Sequence, residues 1–443
     1  MTKVVITTVP FVDDDTPLAA PAVLKSVLLA NGIDCVGLDL NIDIYNKIQH
    51  NNKRQKFLDF FYLQKIDEEI IDDIIAMLDF YSTEILSHSP DIIALSLFCF
   101  QSQTFAAWLC AVLRQTAPGV KIIIGGPGLE TLENTVFKYP DRLKKLGLID
   151  AYITGDGELS LVEYIKGNLD YPGINSINWI PNSNFINAPQ PDFSDYRFFK
   201  YSYPMLPIVD SRGCVQDCEF CDVVAFWKKF QYLPADRIFQ TMLYYLENYG
   251  IFRFQFASSI CNGNLKEFKK LIDLIACYNR TKNEADQIHW IGSFIIRPKN
   301  YHNEQLWQNI ADSNGFLLTG VESIVERVRI DLGKKFSNED LDWHLYMAEK
   351  YGVRMNLLLI AAYHTETEND YLESKQWFID RKKYANTVIN HVQLTTVDIL
   401  SGTKLESKVD KNDFYANQGK RLQQFYELTE VIQQCGFQTR TFY

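Results

Sequence analysis

The sequence has 443 residues, of which 47% are hydrophobic and 22% are charged, and its formal net charge at pH 7 is −11. This length predicts two or three domains, and this composition is typical of folded globular proteins rather than disordered chains. The acidic charge argues against a nucleic-acid partner, because affinity for phosphate backbones depends on Lys and Arg. The sequence contains no apolar run of about 18 residues, so it predicts no membrane span. The N-terminus lacks the basic and apolar segments of a secretory signal. We therefore expect a cytoplasmic protein without a membrane partner.

Residues 1–170 alternate strand-like and helix-like segments, a pattern typical of α/β folds with a parallel sheet. The predicted strands are residues 3–9, 35–40, 91–97, 121–124 and 151–154. Glycine-rich turns follow the last two strands, at residues 125–127 and 155–158. Because ligands of open, doubly wound sheets bind at the carboxyl ends of the strands, these turns are candidate ligand contacts. The pattern predicts a doubly wound, Rossmann-like domain.

The rest of the chain predicts a linker, a second α/β domain and a tail. Residues 171–205 are rich in Pro, Asn, Ser and Asp and predict a linker or bridging segment. Six strand–helix repeats follow in residues 206–404, which favours a partial (β/α)6 barrel with its active site at the carboxyl ends of the strands. The six predicted strands are residues 208–210, 253–257, 289–296, 316–319, 354–360 and 391–397. Residues 405–443 predict a short helical tail.

Three of the nine cysteines lie close together: Cys214, Cys218 and Cys221, spaced C-x3-C-x2-C. Three thiolates on one loop can bind three irons of a [4Fe–4S] cluster and leave the fourth iron open for another ligand. A closed zinc site needs four ligands, and no fourth Cys or His lies nearby in the sequence. The odd count and a reducing compartment disfavour disulfides. Three unrelated buried cysteines remain the plain structural alternative.

With Phe220 just before the last cysteine, this loop resembles the signature loop of radical S-adenosylmethionine (radical SAM) enzymes. In that family the open iron binds the amino and carboxylate groups of SAM, and the aromatic residue at the place of Phe220 packs near the adenine. One-electron reduction, from a donor such as flavodoxin or ferredoxin, cleaves SAM to methionine and a 5′-deoxyadenosyl radical, which abstracts hydrogen from the substrate. The resemblance implies that the cofactors carry the chemistry and the protein positions them.

Elements at the predicted barrel mouth resemble the same family. Residues 320–323 resemble a G-x-E-S element in which the acid or the serine lies near SAM, here Glu322 and Ser323, and Arg297 resembles a barrel-top arginine. The family's Gly-Gly-Glu element after the second strand is absent, because residues 257–261 read Ala-Ser-Ser-Ile-Cys there. Glu322 could instead cap the following helix, and Arg297 could be an ordinary surface residue.

The N-terminal region resembles the cobalamin-binding domain that precedes the barrel in one class of radical SAM enzymes. Small residues at strand ends let a large flat ligand approach the backbone, and the matching small residues here are Ser96, Gly125, Gly126, Gly155 and Gly157. The D-x-H-x-x-G motif, which supplies a cobalt ligand in some cobalamin proteins, is absent, as it is in many members of this class. A Rossmann-like domain that no longer binds cobalamin therefore fits the same residues.

Three functions fit these features. The first is epimerisation of residues in a ribosomal peptide, with Cys261, just past the second barrel strand, as the hydrogen-atom donor, although a buried loop thiol is the plainer role for this residue. The alternative is cobalamin-dependent radical methylation of an unactivated carbon. A remote alternative is a non-catalytic sensor that keeps a cluster and a corrin fold. The substrate is a peptide or a small molecule, and the peptide follows from family analogy alone.

Overall fold

The computed structural model describes residues 2–10, 16–129, 138–181, 185–227, 229–301, 303–400 and 402–442. The chain divides into two compact units, Met1–Pro207 and Ile208–Tyr443. Each unit is built around its own sheet. In the described part of the chain, no helix has both the length and the apolar character needed to cross a lipid bilayer.

The first sheet has five parallel strands. These strands are β1 (Lys3–Thr8), β2 (Asp34–Leu38), β3 (Ile92–Ser96), β4 (Lys121–Gly125) and β5 (Ala151–Ile153). Their order across the sheet is β2-β1-β3-β4-β5. This is a doubly wound order in which the direction of winding reverses between β1 and β3, and such sheets bind ligands outside the carboxyl ends of the strands at that reversal.

Helices cover both faces of this sheet. They are α1 (Ala19–Ala30), α2 (Asn41–Gln49), α3 (Arg54–Leu63), α4 (Ile71–Ser87), α5 (Gln103–Thr116), α6 (Lys138–Lys145) and α7 (Gly157–Ile165). Successive side chains of a strand point to opposite faces, so Val5 packs in the cluster of α3, α4 and α5, while Val4 and Ile6 pack with α1 and α7. Burial on both faces explains why the strands of this unit are nearly continuous apolar runs.

The segment 171–205 is bonded to the first unit. Lys25 of α1 has a buried side chain that forms ion pairs with Asp192 at 3.2 Å and with Asp195 at 2.6 Å. The backbone N–H of Gly37 also donates to Asp195, at 2.8 Å. A buried ammonium group needs such partners to offset its lost hydration, so these contacts fix the segment against α1 and β2.

The second sheet has seven strands, and small strands flank the cysteine loop. The strands are β6 (Leu206–Ile208), β7 (Ser211–Arg212), β8 (Gln231–Tyr232), β9 (Arg253–Phe256), β10 (His289–Phe294), β11 (Gly315–Glu322), β12 (Arg354–Ile360), β13 (Ile389–Thr395) and β14 (Gln438–Phe442). The order β14-β13-β12-β11-β10-β9-β6 follows the sequence, every pairing from β9 to β14 is parallel, and β7 pairs with β8. Strands β6 and β9 to β13 confirm the expected partial (β/α)6 barrel after a doubly wound domain.

Helices connect these strands and also make up most of residues 404–434. They are α8 (Val223–Trp227), α9 (Ala235–Tyr249), α10 (Leu265–Asn279), α11 (Glu304–Asp312), α12 (Glu326–Asp331), α13 (Asn338–Tyr351), α14 (Glu368–Asp380), α15 (Lys404–Lys408), α16 (Lys411–Ala416) and α17 (Gln418–Gln434). Within 405–443, which the sequence predicts as a helical tail, the structure adds β14, which pairs in parallel with β13. The unpaired edge of β13 supplies the hydrogen-bonding partners that make these few residues a strand.

Gly126 has a packing role that can be tested. It has φ +104, and an added Cβ would lie 2.3 Å from the carbonyl oxygen of Leu97, which the N–H of Gly128 also reaches at 3.0 Å. We expect Gly126→Ala to lower the thermal midpoint of the full chain, with a loss on the order of 1–3 kcal/mol from strain and displacement. Gly119→Ala is the matched control, because nothing lies within 4 Å of its added Cβ. Equal midpoints for the two variants would contradict the packing role.

Candidate cluster and cofactor site

The cysteine loop begins just after β6, at the carboxyl end of the first barrel strand. Strands β7 and β8 pair antiparallel on either side of it. Gly213 has φ +79, and an added Cβ would lie 2.8 Å from the carbonyl oxygen of Lys229. Glycine is therefore needed where the two arms of the loop approach each other. The loop lies at the end of the sheet where barrel active sites are found.

The structure brings the three predicted cysteines together as free thiols. Cys218 is buried and the other two are partly buried. Burial raises the pKa of Cys221 to about 11 and also raises the pKa of Cys218, and the charge of Cys214 adds to both shifts. The N–H of Gln216 donates to the sulfur of Cys214 at 3.3 Å. Cys214 thus lies within electrostatic reach of both other cysteines.

This donor set fits an iron–sulfur cluster. Among the described residues, no group of three or more His, Cys, Asp or Glu side chains is arranged to hold a single metal ion. The cysteines of a [4Fe–4S] site bind different irons, so their sulfur atoms surround the cluster rather than converge on one ion. Three thiols on one loop at a barrel mouth are the donors that such a cluster needs.

A second segment, Leu332–Lys334, lies directly against the cysteine loop, and we call it the clamp segment. The N–H of Glu219 donates to the carbonyl oxygen of Leu332 at 3.1 Å. Gly333 has φ +88, and an added Cβ would lie 3.1 Å from the Cα of Cys218. Glycine suits both the backbone angle and the close approach. The clamp segment therefore fixes the backbone around the central cysteine.

Glu322 and Lys334 form an ion pair beside Cys218. The Lys334 Nζ lies 3.0 Å from the Glu322 Oε1, and the two side chains are only 8% and 13% exposed. Burial alone would lower the pKa of Lys334, but the charges of Glu322 and Cys218 outweigh it, so this pKa is raised. Glu322 has φ +63, and an added Cβ at Gly320 would lie 2.9 Å from its Oε1. A side chain at 320 would therefore displace the Glu322 carboxylate from its present position.

Arg329 ties the turn at Ser323 to Phe336, two residues beyond the clamp segment. Its fully buried guanidinium group donates to the carbonyl oxygens of Ser323 at 2.9 Å, Ile324 at 3.2 Å and Phe336 at 3.2 Å. Burial lowers the pKa of Arg329 to about 10. Helix α12 has Val325 as its N-cap residue. Glu322, which the sequence also allowed as a helix cap, therefore pairs with a lysine instead.

Arg297 and Phe220 lie at the same end of the barrel. Arg297 donates to the carbonyl oxygens of Asn262 at 3.1 Å and Gly263 at 2.9 Å, while its Nε is buried without a hydrogen-bond partner. Burial lowers the pKa of Arg297 and the charge of Cys214 raises it, so this residue is not an ordinary surface arginine. Phe220 packs against an apolar cluster from α12, β12, α15 and α16.

Cys261, the predicted hydrogen-atom donor, is completely buried after β9. An added Cβ at Gly292 would lie 3.1 Å from its sulfur, and its N–H donates to the carbonyl oxygen of Ser293 at 2.8 Å. Burial raises the pKa of Cys261 well above its ordinary value, so the sulfur stays protonated. The thiol has the protonation state of a hydrogen donor but no exposed surface at which to meet a substrate.

Sequence reasoning missed a buried carboxyl group within electrostatic reach of Cys261. Asp210 is fully buried after β6; its Oδ2 accepts a hydrogen bond from the Ser258 hydroxyl at 3.0 Å, and its Oδ1 has no hydrogen-bond partner. Burial raises the pKa of Asp210 to about 7. The hydroxyl of Tyr232 is also buried without a partner. The sequence does contain a signal for this group, because Asp210 is an acidic residue at the end of an apolar predicted strand.

The positions that resemble a cobalamin site lie along one edge of the first sheet. Ser96 ends β3 and Gly125 ends β4, where the two residues pair in register, and Gly126 follows. Gly155 follows β5, and Gly157 begins α7. All five therefore lie at the carboxyl ends of the strands, where open α/β sheets bind their ligands.

At two of these glycines the protein itself fills the space that a side chain would take. Gly126 makes room for the Leu97 backbone. Gly155 has φ +69, and an added Cβ would lie 2.0 Å from the indole ring of Trp179. The sequence predicts that these small residues admit a flat ligand. The structure gives both of them a packing reason that needs no ligand.

Sequence comparisons find distant relatives. No protein-family model matches the chain. A protein of Methanocaldococcus jannaschii described as a methylthiotransferase is 24% identical over 254 residues, which cover 55% of this chain and 56% of that protein. The hopanoid C-3 methylase of Methylococcus capsulatus is 24% identical over 323 residues, which cover 68% of this chain and 58% of that protein. The chain thus spans little more than half the length of these relatives.

Two solved structures resemble most of the chain. The radical SAM methyltransferase TsrM of Kitasatospora setae, solved with cobalamin and a [4Fe–4S] cluster, aligns with a TM-score of 0.65 and 13% identity over 92% of this chain and 75% of that chain. The cobalamin-dependent radical SAM enzyme OxsB, solved with aqua-cobalamin, aligns with a TM-score of 0.63 and 15% identity over 92% of this chain and 55% of that chain. At these identities the likeness shows the fold: a doubly wound domain followed by a partial (β/α) barrel.

The raised pKa of Asp210 predicts how stability depends on pH. Its pKa in the folded chain, about 7, exceeds its ordinary value of 3.8, so the folded state binds the proton more tightly. This stabilisation is complete below about pH 4 and is lost as the pH rises through about 7. We expect the thermal midpoint to fall between about pH 4 and 7, and to fall less in Asp210→Asn, whose amide cannot ionise.

The matched control for this comparison is Asp236→Asn, which changes an exposed aspartate on α9. It should keep the wild-type dependence of the midpoint on pH. Parallel profiles for wild type and Asp210→Asn would show that the buried carboxyl group does not titrate in this range.

Proposed function

We propose that the protein is a radical SAM enzyme that methylates a carbon of its substrate with the help of cobalamin. The observation that carries the proposal is the juxtaposition of Cys214, Cys218 and Cys221 on one loop at the carboxyl end of the first barrel strand. When bound, a [4Fe–4S] cluster with SAM supplies a 5′-deoxyadenosyl radical, and cobalamin supplies a methyl group.

The barrel mouth offers groups that suit SAM. Arg297 has a buried Nε with no partner, and a bound carboxylate would satisfy such a donor. Glu322 and Ser323 follow the Gly320 gap on β11, and we assign them to SAM by their resemblance to the G-x-E-S element. Phe220, packed on a firm apolar cluster, offers a ring to the adenine.

We assign cobalamin to the carboxyl edge of the first sheet, at Ser96, Gly125, Gly126, Gly155 and Gly157. The strand order supports this assignment, because such sheets bind their ligands at this edge. The fold shared with TsrM and OxsB, both solved with cobalamin, supports it as well.

We propose methylation rather than peptide epimerisation as the reaction. One sequence relative is described as a methylase, and the structural neighbour TsrM is a methyltransferase. Epimerisation needs a thiol that reaches the substrate, and Cys261 is fully buried. The substrate class is a peptide or a small molecule, and an external one-electron donor such as flavodoxin or ferredoxin is required.

Removal of the cysteines tests the cluster. We expect the triple variant Cys214→Ala, Cys218→Ala, Cys221→Ala to hold only background iron and sulfide after anaerobic reconstitution, and to lose cleavage of SAM to 5′-deoxyadenosine. The control is Cys277→Ala, an exposed cysteine on α10, which should keep both properties. A triple variant that still binds iron and cleaves SAM would refute the assignment.

A second experiment separates methylation from epimerisation. Wild-type protein incubated with hydroxocobalamin and desalted should retain close to one corrin per chain by its absorption spectrum. Turnover of candidate peptides and small molecules in D2O, followed by mass spectrometry, should then show a mass gain of one CH2 unit, because a methyl group replaces a hydrogen atom. The triple cysteine variant should retain the corrin but give no product. Deuterium incorporation without corrin retention or methylation would replace methylation by epimerisation.

A further inference from the structure

The Lys334 ammonium group lies between an acid and a cysteine that the proposed function assigns to the cluster. It pairs with Glu322 at 3.0 Å, and the preceding Gly333 packs against the cysteine loop, where an added Cβ would lie 3.1 Å from the Cys218 Cα. We infer that Lys334 is a positioning residue that stabilises the reduced form of the cluster, by balancing negative charge at Cys218 while it holds Glu322 in place. This inference rests on the proposed function, because it requires a cluster on the cysteine loop.

Burial distinguishes Lys334 from other lysines at the same loop. Lys404 pairs with Asp217 and Lys408 pairs with Glu219, but the two lysine side chains are 47% and 59% exposed. Exposed pairs are weakened by water and salt. The Lys334 side chain is 8% exposed, so its charge acts in a medium of lower dielectric constant. A positive charge on Lys334 therefore acts more strongly on Cys218 than the same charge on the exposed Lys404 or Lys408.

The backbone around Lys334 leaves its ammonium group little freedom to move away. Gly333 packs on the Cys218 backbone, and the Lys334 N–H donates to the carbonyl oxygen of Arg329 at 3.0 Å. An added Cβ at Gly320 would lie 3.3 Å from the Lys334 Nζ. The position of the charge is thus set by the fold before any cofactor binds.

The direction of the effect follows from charge. Reduction adds one electron to the cluster, and hydrogen bonds to the sulfur ligands, net charge and burial set its reduction potential. A fixed ammonium group stabilises the more negative, reduced form and raises the midpoint potential. The neighbouring Glu322 carboxylate acts in the opposite direction. The two members of the pair therefore have opposite effects on one measurable quantity.

The test is an anaerobic redox titration of reconstituted full-length protein without SAM, followed by the electron paramagnetic resonance signal of the reduced cluster. We expect Lys334→Gln to lower the midpoint potential and Glu322→Gln to raise it, each at wild-type iron content. Lys334→Arg should restore most of the wild-type value. Lys408→Gln, which removes an exposed charge from α15 beside the cysteine loop, should leave the midpoint unchanged.

Opposite shifts are the signature that a purely structural role would not give. A fully loaded Lys334→Gln cluster with an unchanged or higher midpoint would overturn the inference, as would shifts of the same sign in the two glutamine variants. If Lys334→Gln fails to hold iron, Glu322→Gln decides: a raised midpoint supports the inference and an unchanged one overturns it. A wild-type chain that assembles no cluster would overturn the proposed function itself, whereas unchanged potentials in loaded variants would overturn this inference alone.

Discussion

Backbone packs on backbone where the clamp segment meets the cysteine loop, because Gly333 has no side chain to hold the two apart. This contact places Lys334 behind Cys218 and within 3.0 Å of the Glu322 carboxylate. A side chain at 333 would push the segment away from the loop and separate the lysine from both partners. The distribution of charge at the candidate cluster site thus depends on the absence of a side chain at Gly333.

The same end of the barrel holds an unusual number of buried polar groups, and each is stabilised differently. Lys334 and Glu322 neutralise each other, while Arg329 satisfies its donors with backbone carbonyl oxygens. Burial keeps Asp210 largely protonated up to about pH 7. The Arg297 Nε retains an unmet hydrogen bond. Buried polar groups without partners reduce stability, so the unpaired Arg297 Nε lowers the stability of this end of the barrel.

Local sequence patterns were sufficient for the architecture and the cysteines but not for their surroundings. Strand periodicity and the C-x3-C-x2-C spacing are short-range signals, so both units and the cysteine loop could be predicted. The partnership of Lys334 with Cys218 joins residues far apart in the sequence, and only the barrel topology brings them together. Asp210 was missed because it directly follows an apolar run and was counted as strand. Strand β14 could not be predicted from local sequence, because it becomes a strand only by pairing with the edge of β13, which the fold brings beside it.

Glycines show why the two units support the proposed function with different strength. In the first unit, Gly126 and Gly155 accommodate the Leu97 backbone and the Trp179 ring, so their small size follows from packing whether or not a corrin binds. The proposed cobalamin site is therefore supported by the strand order of the first sheet and by the fold shared with TsrM and OxsB. In the second unit, Gly320 and Gly333 leave room for a buried charge beside a cysteine. Burying a lysine costs free energy that packing alone does not return, so this arrangement argues for charge chemistry at the loop.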